Sequence, residues 1–393
     1  MRIVVDLTRL NGNYGYGVET FSEGLTFGLC KALPNTCIDI IVTKESVNWI
    51  SRFLSGRVQN YRLLVCSPCL SPLFDRLLAL IYRRLLPKVL HSKIQNLKWM
   101  RLRKMYKQAI VFVPSTYINV TFGLNSVVFL HDCQEKIFPS YFTKQTLRYR
   151  QICLEETLKR SSLVHFSSYF VKQEVSYFFA SYLGKHIVVP EGVDTQRFFV
   201  KSKVQVDEFL NVLVPGSFSL HKGHENIVEA VIGLDKELPI KVFLTGKMNE
   251  LGRKIENQVT LAGEKRIIFL GYVPPGNFED YFRRADVVLS ASQYESSSLP
   301  LLEGYCARCI LVASSIPAHK EMTQTIPMTL FNIQNRQELP TILTDLCKRK
   351  MLGNLKYPSA ETSILDIIDW EARARQTFEE SVEILCTTSG RNK

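Results

Sequence analysis

The chain predicts an α/β fold built from two parallel-sheet halves. Short, continuous apolar runs alternate with helix-period stretches along nearly the whole length, as in strands covered by helices on both faces. A polar, charged stretch at 196–208 interrupts the alternation once, and a fresh alternation starts behind it. The length, 393 residues, exceeds one ordinary domain.

In the first half, 3–7 (IVVDL) reads as the opening strand. The glycine turn 11–17 (NGNYGYG) follows, then a helical stripe at Phe21, Leu25, Leu29 and Leu33. Strand, glycine turn and helix form the layout of a phosphate-facing loop. Strands are expected at 38–42, 109–113, 127–130, 163–167 and 187–189, with helices at 147–161 and 169–182. The strand 127–130 ends in His131-Asp132, at the carboxyl end of the sheet where ligands bind in such folds. In the second half, strands at 212–214, 242–245, 267–270, 287–290, 309–313 and 328–331 alternate with helices at 226–234, 250–261, 278–285, 301–306 and 338–349. A last helix covers 370–385.

Composition excludes several classes. Hydrophobic content of 46% and charged content of 22% are those of a globular domain protein. The start, MRIVVDLTRL, lacks the pattern of a signal peptide, and no apolar run reaches transmembrane length. The 10 cysteines then predict reduced thiols in the cytoplasm. Two pairs have C-x-x-C spacing, Cys66/Cys69 and Cys306/Cys309. They lie far apart in the chain and the second pair is set in apolar sequence, so buried small side chains are favoured over zinc. Most of the net charge of +12 comes from 71–108, where Arg76, Arg83, Arg84, Lys88 and six further Lys and Arg stand against Asp75. Leu73, Leu77, Ile81 and Leu85 form an apolar stripe there. This segment either lies flat on an anionic membrane or packs its stripe into the core. No fold-level nucleic-acid motif accompanies the charge.

The stretch 290–321, SASQYESSSLPLLEGYCARCILVASSIPAHKE, places Glu295 in a loop after a strand and Glu303 on a helix opened by Pro300. A lone E-x7-E is more often an ordinary pair of acids. Its surroundings resemble glycosyltransferase family 4, the retaining, nucleotide-sugar-dependent enzymes of the GT-B fold. Ala285-Asp286, Ser292, Glu295, Pro300, Leu302-Glu303, Ser314 and Glu321 fall in the family pattern. FLHD at 129–132, VVPEGVDTQRF at 188–198, PGSFSLHKGHENIVEA at 215–230, FLGYVPPGNFEDYFRRAD at 269–286 and DWEARARQTFEE at 369–380 are similar to further family stretches in the same order. Ser217 stands where the family has arginine, and Gly304 and Arg308 stand where it more often has alanine and glycine.

The resemblance implies two facing Rossmann-like domains: an acceptor-binding domain at 1–200 and a nucleotide-sugar domain at 205–368. A crossing helix and tail at 369–393 would return to the first domain. It implies that Glu303 holds the donor ribose, Glu295 binds the transferred sugar and His131 assists at the reacting carbon. Lys222, Ser217, the N–H groups at Leu299, Pro300 and Leu301, and the turn at Gly15 and Gly17 would meet the diphosphate. No metal and no cofactor are expected, since the nucleotide sugar is a co-substrate. The implied activity is hexosyl transfer to a lipid-linked or surface-polysaccharide acceptor of lipopolysaccharide type. The protein would sit in the cytoplasm, at the inner face of the membrane, with the segment around Arg76, Arg83, Arg84 and Lys88 binding membrane or acceptor. Residues 315–321 look like stretches common among mannosyltransferases, which points to mannose. A soluble sugar or sugar-phosphate acceptor, or a non-catalytic glycan-binding or scaffold relative, are the alternatives.

Overall fold

Thirteen short strands form two all-parallel sheets in a computed structural model that describes residues 1–10, 17–65, 104–115, 124–182, 184–203, 207–274 and 276–387. The chain divides into two units. One comprises Met1–Pro190 and Glu371–Lys393, the other Glu191–Trp370.

The first unit contains β1 (Arg2–Asp6), β2 (Ile38–Val42), β3 (Tyr61–Val65), β4 (Ala109–Val113), β5 (Asn125–Leu130), β6 (Leu163–Phe166) and β7 (His186–Val188), in the order β3-β2-β1-β4-β5-β6-β7. Burial on both faces explains why β2 and β4 are apolar along nearly their whole length. The exception is Asp39 on β2. It is buried because Arg62, its neighbour on β3, grips it through two N–H donors at 2.9 Å and the Tyr106 hydroxyl donates at 2.8 Å. The helix Gly17–Ala32 follows β1, and the helices Lys144–Arg160 and Tyr169–Phe179 flank β6. The segment after Trp370 completes this unit. Its Ala374, Thr377 and Ser381 are buried, with Thr377 Oγ1 3.4 Å from the ring of His165 on β6.

The second unit contains β8 (Leu210–Val214), β9 (Ile240–Thr245), β10 (Ile267–Gly271), β11 (Val287–Ser290), β12 (Ile310–Ser314) and β13 (Thr329–Phe331), in the order β10-β9-β8-β11-β12-β13. One core draws side chains from all six strands, Ile267 from β10 and Phe331 from β13 among them, and is completed by the helices His224–Ile232, Glu250–Leu261 and Glu338–Met351.

The division at Pro190/Glu191 falls earlier than the expected domain end at 200, and the polar stretch 196–208 is not simply a linker. Thr195–Phe198 forms a helical turn capped by Asp194, and Phe198 is buried edge-on against Phe282. Polarity misled because Arg197 is consumed by an ion pair with Glu279. The chain's two passages between units lie side by side. Val193 N–H donates to Ile368 O at 2.8 Å, and Trp370 N–H to Val193 O at 3.1 Å. The calls at Gly15, Cys66, Cys69, Arg76, Arg83, Arg84 and Lys88, and most of 71–108, lie outside the described residues.

Candidate functional site

In the second unit the strand order reverses between β8 and β11. Open parallel sheets bind ligands beyond the carboxyl ends of the strands at such a point. The loop after β8 carries Ser217 and Lys222, and the loop after β11 carries Glu295. Gly223 locks the two together. Its φ is +65°, and a Cβ there would sit 2.1 Å from the carbonyl oxygen of Ala291. With that approach open, Gln293 N–H donates to His221 O at 2.6 Å. Lys222 Nζ then reaches Glu295 Oε1 at 2.7 Å, and Ser292 Oγ donates to the same oxygen at 2.6 Å. Glu295 is buried. Burial alone would raise its pKa, but the Lys222 ammonium and the Ser292 hydroxyl outweigh it and hold the carboxyl below its usual range. Ser217 Oγ lies 3.2 Å from Ser219 Oγ.

The helix Leu299–Cys306 starts beyond this loop, with Pro300 in its first turn. It lies hard against the sheet at Gly304, where an added Cβ would meet Val288 Cγ2 at 2.8 Å and Leu311 Cδ2 at 2.9 Å. Any larger residue there would push the helix, and Glu303 with it, off β11 and β12. The expected trio of N–H donors is reduced. Pro300 has none, and Leu301 donates to Ser298 O at 3.0 Å, which leaves Leu299 to serve an anion. Glu303 is buried in the second turn of this helix. Burial pushes its carboxyl up to about 8, with Arg197 opposing and Glu279 adding to the shift. It is then chiefly a neutral acid at pH 7, able to donate one hydrogen bond and accept others.

Sequence reasoning gave no role to Ser292, Ser314 or His319, which are joined to Glu295 by hydrogen bonds. Ser314 Oγ donates to Ser292 O, and His319 Nδ1 lies 2.8 Å from Ser314 O. The signal was present as serines at the ends of two neighbouring strands, Ser290-Ala291-Ser292 after β11 and Ser314-Ser315 after β12. The register that pairs Val287 with Ile310 and Ser290 with Ala313 brings those ends together.

In the first unit, His131 stands just past β5, buried, with Nε2 3.1 Å from Pro114 O. A carbonyl only accepts, so Nε2 carries the hydrogen. Phe21 packs edge-on against the ring at 4.7 Å, which sets its plane. Gly17 opens the helix after β1, and an added Cβ there would meet nothing within 4 Å among the described residues.

Among the described residues, no group of three or more His, Cys, Asp or Glu is placed to hold a metal ion, and no helix is long and apolar enough to cross a membrane. Cys306 and Cys309 are buried free thiols. Cys309 Sγ accepts from Lys203 Nζ at 3.1 Å.

Residues 195–325 match the family model described as glycosyl transferases group 1, a stretch that contains Lys222, Glu295 and Glu303. No curated protein matches the chain. Among solved structures, the chain is similar to sucrose-phosphate synthase from Thermosynechococcus elongatus at 16% identity, over 98% of this chain and 100% of that one, with a TM-score of 0.72. It is similar to Anabaena HepE, in a structure holding UDP-glucose, at 16% identity over 99% and 100%, with a TM-score of 0.63. An Escherichia coli trehalose-6-phosphate protein bound with UDP-2-fluoro glucose follows at 13% identity over 97% and 99%, with a TM-score of 0.63. These likenesses establish the fold. Residues 195–325 thus match the group 1 glycosyl transferase model, within a chain whose two parallel-sheet units have the GT-B fold.

Proposed function

We propose that the protein transfers a hexose from a nucleotide-diphosphate sugar to a glycan or lipid-linked acceptor, with retention at the anomeric carbon. The observation that carries this is the Lys222–Glu295–Ser292 cluster at the β8/β11 reversal. An ammonium beside a buried carboxylate offers a cation for a leaving diphosphate and an acceptor for sugar hydroxyls a few ångströms apart. The C1–O bond to the diphosphate breaks as an acceptor hydroxyl oxygen bonds to C1, and the hydroxyl proton passes to the departing diphosphate oxygen. Lys222, Ser217 and the Leu299 N–H meet the departing charge, so no metal is required. Glu303 takes the ribose hydroxyls. His131 and the Gly15–Gly17 turn are assigned to the sugar and the diphosphate on the strength of the family resemblance.

A soluble acceptor, a sugar or sugar phosphate, is the second reading. The likeness to sucrose-phosphate synthase and to the trehalose-6-phosphate protein favours it. UDP-glucose, as held by HepE, is then the first donor to try, with GDP-mannose beside it. The test is donor turnover across a panel of nucleotide sugars, with lipid-linked and soluble acceptors in parallel. Lys222→Ala and Glu295→Ala are expected to lose about 10²-fold or more in kcat. Unchanged turnover in both variants would sink the residue assignments. Vesicle flotation separates the acceptor classes, since only the lipid-linked reading expects salt-sensitive binding to anionic lipid.

A further inference from the structure

His319 is fully buried on the helix Pro317–Met322. Its Nδ1 carries a hydrogen, because the partner at 2.8 Å is the Ser314 carbonyl, which can only accept. Its Nε2 is shut off from solvent and has no hydrogen-bond partner. An unpartnered buried ring nitrogen is costly and calls for an explanation. The hydrogen-bonded chain from Ser314 through Ser292 ends on Glu295, so the ring belongs to the same cluster as the Lys222–Glu295 pair. Two charges act on it from facing elements. Glu295 favours a proton on the ring and Lys222 opposes one. On its own helix, Lys320 is exposed and Glu321 half-buried.

A diphosphate arriving at Lys222 competes with Glu295 for the same ammonium. When the ammonium swings to the phosphates, Glu295 becomes a buried carboxylate without its counter-ion, a costly state. Burial is what chiefly keeps the His319 ring neutral, and the Lys222 charge that adds to it leaves at the same moment. We propose that His319 takes up a proton at Nε2 when a nucleotide-diphosphate ligand draws Lys222 from Glu295, so that the imidazolium replaces the ammonium as counter-charge to the carboxylate. The proton comes from solvent on binding and returns to it on release. His319 is thus a positioning residue that keeps Glu295 ionised during the reaction. The inference rests on the nucleotide-sugar reading above.

Isothermal titration with UDP-glucose and GDP-mannose, at pH 7.5 in two buffers of different ionisation enthalpy, measures protons taken up per ligand bound. Neither diphosphate titrates near that pH, so any exchange is the protein's. Glu303 exchanges alike in wild type and variant, and the difference between them isolates His319. His319→Asn preserves a donor toward Ser314 O and removes the basic nitrogen, and His319→Gln is the second variant. The variant with wild-type melting is the one read. Wild type is expected to take up more protons than the variant, by a fraction approaching about 1 per ligand, and to lose that excess as pH rises. Equal proton exchange in both, with ligand bound, overturns this inference and leaves the nucleotide reading standing. Failure of wild type to bind either ligand overturns both.

Discussion

Glu303→Gln should make the ligand-free protein more stable above pH 6 and leave it unchanged near pH 4.5. The folded chain holds the Glu303 proton up to about 8 through burial, whereas the unfolded chain releases it near 4.5. Stability from a raised pKa is fully present below the unfolded value and is lost as pH rises through the folded one. Between those limits the native state binds a proton that the unfolded state lacks, so stability falls by about 1.4 kcal/mol per pH unit. By pH 7 the loss is on the order of 3 kcal/mol, with Arg197 supplying the partial compensation already contained in that value. Glutamine has no proton to lose, so its profile is flat. Differential scanning calorimetry from pH 4.5 to 8.5 should show the variant's second-unit transition drawing ahead of wild type, by roughly 10–18 °C at the upper end. The same variant should lose most of the melting-temperature rise that saturating UDP-glucose gives wild type, because the ribose contact is weakened. A stability difference that does not change with pH, or a variant less stable at pH 8, would refute the burial argument.

Two further outcomes follow from packing in the same unit. Lys350→Met removes the ammonium from a fully buried pair with Asp286, whose other contacts are the Asn211 N–H at 2.8 Å and the Tyr357 hydroxyl. It should cost about 3–5 kcal/mol in urea unfolding, and adding Asp286→Asn should recover part of that, since the stranded charge is then gone. Arg308 has φ +57° directly after the helix Leu299–Cys306 and its cap, where the family pattern carries glycine. Its guanidinium offsets the strain by donating to Pro358 O and Lys201 O. Arg308→Gly should therefore stay within about 1 kcal/mol of wild type, and Arg308→Val should lose about 2–3 kcal/mol in the same assay.

Much of the second unit was legible because its central apolar runs, β8, β11 and β12, are strands buried on both faces. The expected strand at 287–290 and helix at 250–261 coincide with the observed elements. Elements with partial burial escaped. β3 has no fully buried residue, and the helix Val47–Leu54 buries only Ile50 and Leu54. Lys222 and Glu295 could be picked out by their position after strands, but their ion pair could not, since it depends on Gly223 closing the loop onto Ala291. His319 was invisible as a site residue for a different reason. Its tie to Glu295 runs through the Ser314 and Ser292 backbone carbonyls, which every residue possesses. The turn at 195–198 was hidden by polar composition, although Asp369, at the end of the helix Thr362–Ile368, ties to Thr195.

The bridge between Val193 and Asp369, made by hydrogen bonds from Val193 to Ile368 and from Trp370 to Val193, bears on how the protein is made. Glu191–Trp370 is one uninterrupted length of chain set into a unit that is itself split in two by the sequence. On the ribosome the inserted unit is fully synthesised before the final helix, whose Ala374, Thr377 and Ser381 fill the core beside β6, so the unit begun first is finished last. Because entry and exit are clasped side by side, the inserted unit behaves as a cassette.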